Sequence, residues 1–178
     1  MEMTALSIDG ARLIELKRAE DSRGSFFEAF RASWLDNSQP WVQWNVSRSR
    51  AGVIRGLHFH RRQTDYWHLV SGNVTAALID IRPDSPTHGQ SLCVPLSGSR
   101  AQALVIPPGI LHGFRADTDV VLMYLLDREY DPTDENSVRW DDPELNLSAD
   151  WYATPHPILS DRDINARLLK DIGCEWHM

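Results

Sequence analysis

Cysteine is scarce in this 178-residue chain: there are two, Cys93 and Cys174, and they form no spacing motif. That removes a cysteine-based metal or redox motif from consideration and makes a reduced, cytoplasmic setting the default expectation. No run of about 18 apolar residues occurs, so no membrane span is expected. Positive charge is also in short supply, with 18 Lys and Arg against 25 Asp and Glu and a formal net charge of −7. A general nucleic-acid binder carries the opposite balance, although single arginines remain available to bind phosphate. The opening stretch MEMTALSIDG lacks the basic-then-apolar order of a signal peptide. Internal repeats, low-complexity tracts and linkers are missing too. The length suits a single domain over residues 1–178, large enough to bury a core.

What the chain does contain is a succession of short apolar stretches. ARLIELKRAE, GSFFEAF, WVQWNVSRS, SLCVPL, AQALVIP and VVLMYLL each read as a strand. DYWHLVSGNVTAALIDIR reads as two strands folded about Ser71, Gly72 and Asn73. Pro and Gly punctuate these runs at RPDSPTHG, LSGSR and IPPG, and strands at this spacing predict a sandwich or barrel. Helix signals are weak until SDRDINARLLKDIG, where Ser160 or Asp161 is placed to cap a short terminal helix ending near Gly173. The predicted class is all-β with a short C-terminal helical segment.

The stretch RGLHFHRRQTDYWHLVSG concentrates the chemistry, with His58, His60 and His68 and a carboxylate at Asp65. On a strand, residues 58 and 60 point to one face, because side chains alternate. A lone His-x-His is as often an ordinary polar lining. Here Gly52 precedes it, Asp65 and Gly72 follow, and PPGILH adds Pro107, Gly109 and His112. Together these resemble the two cupin motifs, with Asp65 where the first has Glu and Ala116 where the second has Asn. The resemblance implies a cupin double-stranded β-helix, a jelly-roll barrel. Two chemistries suit it. Imidazoles and a carboxylate can bind Fe(II), Mn(II) or Zn(II), or one neutral imidazole can act as a general base. Spacing does not decide between them.

Further blocks occur in order: DSRGSFFEAF, QWNVSRSRAGVIRGLH, IDIRPDSPTHG, IPPGILHGF, EYDPTDENSVRWDDPEL and PILSDRD. This set is similar to the dTDP-4-dehydrorhamnose 3,5-epimerase (RmlC-like) family from about residue 20 to residue 164. The resemblance implies epimerisation at C3, or C3 and C5, of a nucleotide-linked 4-keto-6-deoxy sugar, without metal or organic cofactor. A C–H beside a ketone is acidic because its carbanion delocalises into an enolate. One group removes the proton, another returns one on the opposite face, and the centre inverts. Carried over by motif, the base is His58, oriented by Asp163 (Asp161 is the rival), and the acid is Tyr130 (Tyr124 is the rival). Arg23 and Arg55 match positions that contact the diphosphate, and Phe26 matches a ring that packs against the base. Glu28, Gln43 and Asn45 match polar lining positions. His112 is expected near the sugar, oriented by Asp80. The resemblance also implies a homodimer whose subunits share strands across the cavity.

One departure stands out. The family carries a lysine in a Gln-x-Lys-Leu-Val segment shortly after the histidine block. Counting ten residues from His58 reaches His68, but anchoring on Gly72 and the following strand places Asp65 there and leaves His68 an ordinary strand residue. A carboxylate repels a developing enolate rather than stabilising it. His60, where the family has Gln, can supply a cation and pair with Asp65. Alternatively His58, His60, Asp65 and His112 hold a metal, giving a metal-dependent isomerase or dioxygenase, or the chain keeps the fold as an inactive sugar-nucleotide binder.

Overall fold

The structure is a computed structural model that describes residues 1–35 and 40–172. The β-branched and aromatic runs become strands that pair antiparallel throughout: β1 Glu2–Ala5, β2 Arg12–Glu15, β3 Arg18–Asp21, β4 Gly24–Phe27, β5 Gln43–Ser49, β6 Ile54–Phe59, β7 Asp65–Ser71, β8 Asn73–Asp80, β9 Ser91–Ser97, β10 Gln102–Ile106, β11 Ile110–Ala116, β12 Val120–Leu126 and β13 Asn136–Ser137. They form a six-stranded sheet in the order β1-β2-β10-β7-β12-β5, a five-stranded sheet in the order β13-β6-β11-β8-β9, and a separate β3-β4 hairpin. The two large sheets face each other, as expected of a jelly roll.

Three apolar clusters hold the layers. Between the sheets, Trp67, Leu69, Leu104 and Ile106 of the first meet Leu78, Val94, Ile110 and Phe114 of the second. Behind the six-stranded sheet, Tyr66, Ala103 and Leu125 are covered by Phe27, Phe30, Trp34 and Trp41. Behind the five-stranded sheet, Leu57, Phe59, Ile79 and Leu111 are covered by Val138, Leu145 and Trp151 from the C-terminal third. Trp151 is fully buried and its indole donates to the Trp140 carbonyl at 2.9 Å, so an aromatic with a polar edge is satisfied in the core. The C-terminal segment therefore belongs to the packed body, and this is what carries residues 160–163 back onto β6.

Three sequence expectations are corrected. ARLIELKRAE is two strands, β2 and β3, of which only β2 joins a large sheet. The two runs about Gly72 are strands, but β7 and β8 lie in opposite sheets rather than pairing as a hairpin. The terminal helix is one turn, α1 Asp161–Ile164, capped by Ser160, followed by a 3-10 turn at Leu169–Asp171. Among the described residues there, Leu169 and Ile172 pack on the core while Ile164 is exposed, too little apolar contact to hold a longer amphipathic helix. The expected helix end at Gly173, and Cys174, lie outside the described residues.

Gly72 makes the sheet-to-sheet crossing possible. It has φ of 83°, and a Cβ there would sit 2.2 Å from the Asp119 carbonyl oxygen. Gly72→Ala is expected to destabilise the fold by more than about 2 kcal/mol, from left-handed strain plus the clash, as read by urea denaturation.

Candidate active site

At one end of the space between the sheets the apolar core gives way to a cavity of about 310 Å³. Strand alternation decides what enters it. On β7, Asp65 and Trp67 face the cavity while Tyr66 and His68 face the other way. On β12, Tyr124 and Leu126 face in, and on β5, Asn45 and Ser47 do, leaving Trp44 and Val46 exposed on the outer face. From the five-stranded sheet, His58 and His112 are direct cross-strand partners on β6 and β11. His58 and His60 share the cavity face, as their spacing predicts, and Phe59 between them packs into the opposite core.

His58 is fixed by a carboxylate 105 residues away: its Nε2 lies 2.8 Å from Asp163 Oδ1. Asp163 is buried, and its Oδ2 accepts the Ser160 hydroxyl at 2.9 Å, inside the cap of α1. Burial pushes the Asp163 carboxyl up, but hydrogen bonds from His58, Ser160 and the Gly56 backbone outweigh that and hold it ionised below the usual range. An ionised partner at Nε2 fixes the proton on that nitrogen. The lone pair of Nδ1 is then the basic site of the ring. Asp163, not Asp161, is therefore the orienting carboxylate.

His60 sits among acids. Its Nε2 is 3.1 Å from Glu135 Oε2 and its Nδ1 is 3.5 Å from Asp65 Oδ2. Burial alone would lower its pKa, yet Asp65 and Glu135 together raise it to about 9. Asp65 also accepts the Gln63 amide at 3.1 Å, and His60 and its other partners hold it below the carboxylate range against a large burial penalty. Glu135 is brought to about 2 against its own burial by His60 and Arg162, the latter at 2.7 Å. The cation expected beside Asp65 is thus present as His60.

His112 is a different kind of imidazole. Burial brings its pKa down to about 4, so the ring is neutral. Its Nδ1 donates to the Ile110 carbonyl at 2.8 Å, leaving the Nε2 lone pair as an acceptor. The expected Asp80–His112 pairing is not formed. Asp80 points away into its own loop, where it binds Arg82, Ser85 and Thr87. Arg82 lies two residues on and claims the carboxylate by sequence proximity.

Ligand-type atoms of His60, Asp65 and His112 lie within 4.8 Å of one another, the one such group among the described residues. His60 is paired with Glu135 at Nε2, and its Nδ1 lies 3.5 Å from Asp65 and 3.2 Å from the Gln63 amide nitrogen. A cation bound there would have to displace the proton of His60, whereas His112 Nε2 and the Asp65 carboxylate already offer lone pairs. The chain's own groups form an ion-pair cluster.

Of the other predicted residues, Arg55, Asn45 and Tyr130 line the cavity, and Gln43 holds its rim by accepting the Tyr130 backbone N–H at 2.7 Å. Tyr130 is 55% exposed at the mouth; Tyr124 is deeper, raised by burial and by the fields of Asp65 and Glu135. Arg23, Phe26 and Glu28 do not reach the cavity of their own chain. They lie on or beside the β3-β4 hairpin, with Phe26 76% exposed, Arg23 paired with Asp21 and Glu28 with Arg31. His68 faces away, its Nδ1 2.8 Å from the Gln102 carbonyl. Sequence reading missed Glu135, Arg162, Ser160 and Ser47, whose cavity-lining hydroxyl lacks a protein partner. Glu135 had no distinguishing signal, standing in an acidic stretch with Glu129, Asp131 and Asp134.

Comparison with known proteins gives the family of the whole chain. The profile of a family described as dTDP-4-dehydrorhamnose 3,5-epimerase matches residues 5–171. The dTDP-4-dehydrorhamnose 3,5-epimerase of Mycobacterium tuberculosis H37Rv is 38% identical, over 97% of this chain and 89% of that protein. The RmlC epimerase of Legionella pneumophila, solved with dTDP-4-keto-L-rhamnose, superposes with a TM-score of 0.90 at 35% identity, covering 98% of this chain and 95% of the other. ChmJ, a 3'-monoepimerase from Streptomyces bikiniensis solved with dTDP-quinovose, superposes with a TM-score of 0.87 at 34% identity, covering 96% and 89%.

Because the His60 ring is held at about 9 against an ordinary 6.5, its contribution to stability is complete below 6.5 and is lost as pH rises to about 9. The urea midpoint of the wild-type protein should therefore fall over that window by more than that of His60→Gln.

Proposed function

The chain belongs to the dTDP-4-dehydrorhamnose 3,5-epimerase family, and from that membership and its cavity we propose that it inverts C3, or C3 and C5, of a dTDP-linked 4-keto-6-deoxyhexose. The carrying observation is the His58–Asp163 pair: an imidazole held at Nε2 by a buried carboxylate, with its other nitrogen open to a cavity of sugar size. In this reading His58 Nδ1 takes the proton from the carbon beside the ketone, and Asp163 steadies the imidazolium that results. Tyr130 returns a proton on the other face. Its place on the extension of β12, across from β6, suits that role, and Tyr124 lines the same side deeper down. His112 accepts a sugar hydroxyl through Nε2. Arg55, whose guanidinium is steadied by the Ser49 hydroxyl at 2.8 Å and the Arg48 carbonyl, receives the diphosphate. The reaction as drawn moves protons only and needs no cofactor.

The working unit in this reading is a homodimer of one-domain subunits. The β3-β4 hairpin carries Arg23, Phe26 and Glu28 outside the cavity of their own chain, and the outer face of β5 exposes Trp44 and Val46. A hairpin laid across a second copy covers such surface and delivers these three side chains to the partner's cavity. Among the described residues no helix is long and apolar enough to cross a membrane. We assign the protein to the cytoplasm, where Cys93, a free thiol, stays reduced.

Incubated in D₂O with a dTDP-4-keto-6-deoxy sugar, the protein should exchange protons at C3, or at C3 and C5, followed by NMR or mass spectrometry. His58→Asn should abolish exchange while leaving the melting temperature nearly unchanged. Nucleotide-sugar binding without exchange would mark a binding protein and overturn the reading. Phe26→Ala and His58→Asn, each impaired alone, should recover activity when mixed, since a mixed dimer holds one intact cavity.

A further inference from the structure

Glu135 has no part in the reaction as drawn, yet it touches more of the charged groups in the cavity than any other side chain there. Its Oε1 lies 2.7 Å from the Arg162 guanidinium and 3.8 Å from Nδ1 of His58, and its Oε2 lies 3.1 Å from Nε2 of His60. The nitrogen it faces on His58 is the one left basic by Asp163. When that nitrogen takes a proton, the imidazolium stands between two carboxylates, Asp163 in direct contact and Glu135 just beyond it. His60 in turn is bound to Glu135 from the far side and to Asp65 at 3.5 Å.

We propose that Glu135 is a second, adjustable counter-charge for the base, and that His60 sets how much of its negative charge His58 experiences. Glu135 and His60 are positioning residues: they act through His58, and this role rests on the epimerase reading. The sign of each effect follows from Coulomb's law. Glu135 favours the charged form of His58, and a cation at His60 opposes it, both directly and by neutralising Glu135. The remaining charged or titratable groups lining the cavity with the trio are Arg55 on β6, Asp65 on β7, His112 on β11, Tyr124 on β12, Tyr130 beyond it, and Arg162 and Asp163 on α1. All stay the same between the variants compared below.

The experiment is an NMR titration of the ¹³C-labelled His58 ring, identified by its absence in His58→Asn, in parallel with the pH profile of C–H exchange. Glu135→Gln should lower the pH midpoint of His58 by about one unit and move the acid limb of kcat/KM down with it. His60→Gln should move both upward. The double variant should follow Glu135→Gln, because His60 works largely through Glu135. Binding of dTDP should change less than twofold in either single variant. Shifts of the same sign in both single variants, or no shift in either, would overturn the proposal, since a purely structural role gives no opposed pair. His60→Asn replaces His60→Gln if the latter fails to fold. The titration needs no substrate: opposed shifts without exchange in the wild type would leave the coupling standing and sink the epimerase reading alone.

Discussion

The contact on which the site depends is the one between His58 and Asp163. A carboxylate deprived of water is expensive unless its charge is matched and its lone pairs are filled. Asp163 meets both conditions through His58, Ser160 and the Gly56 backbone. None of these is available until the last third of the chain has folded back over the five-stranded sheet. The cluster around Leu145 and Trp151 is what holds it there. Apolar burial far from the cavity thereby fixes which nitrogen of His58 is basic. The packing of the C-terminal segment and the pairing of His58 with Asp163 therefore depend on one another.

The same constraint runs through the cavity. Asp65, Glu135 and Asp163 are three acids in or lining a small space, and each is held below its ordinary range by a named cation or donor rather than by water. Two further imidazoles line the space, His58 held at one nitrogen by an acid and His112 by a carbonyl. Their environments separate their roles. His112 is too deep to charge and can only accept a hydrogen bond, while His58 has a partner ready for a charged form.

Period-two patterning made the strands legible, and with them the shared face of His58 and His60; the register from Gly72 set His68 apart as an ordinary strand residue. What failed was long-range. Nothing local says that the chain changes sheets at Gly72, because a tight glycine turn looks the same whether its strands pair or part. The terminal helix was overread because Ser160 is a genuine cap, and a cap marks where a helix starts but not how far apolar packing carries it. Asp80 was assigned to His112 although a nearer arginine two residues away claims it. Glu135 was invisible because its meaning is entirely its neighbours, drawn from 75 residues away and from α1. Arg23, Phe26 and Glu28 could be matched by motif but not placed in a single-chain cavity, because the hairpin that bears them leads outward.

The two residues that the sequence resemblance sets against the family pattern, His60 in place of Gln and Asp65 in place of Lys, are neighbours in the structure and are best understood together. Asp65 alone would put a buried carboxylate near Glu135 with only the Gln63 amide to answer it, and removing one partner of a buried pair commonly costs about 3–5 kcal/mol. His60 alone would keep Glu135 but lose the acid on its other nitrogen. Present together, each is the reason the other is tolerated: the imidazolium lies between Asp65 and Glu135, and the cluster closes on itself. The consequence is chemical. A lysine at the end of a flexible stem can reach a ligand oxygen, whereas a ring with both nitrogens committed to carboxylates cannot do so without giving one up. The positive charge of His60 is directed at the acids beside His58 rather than into the open cavity.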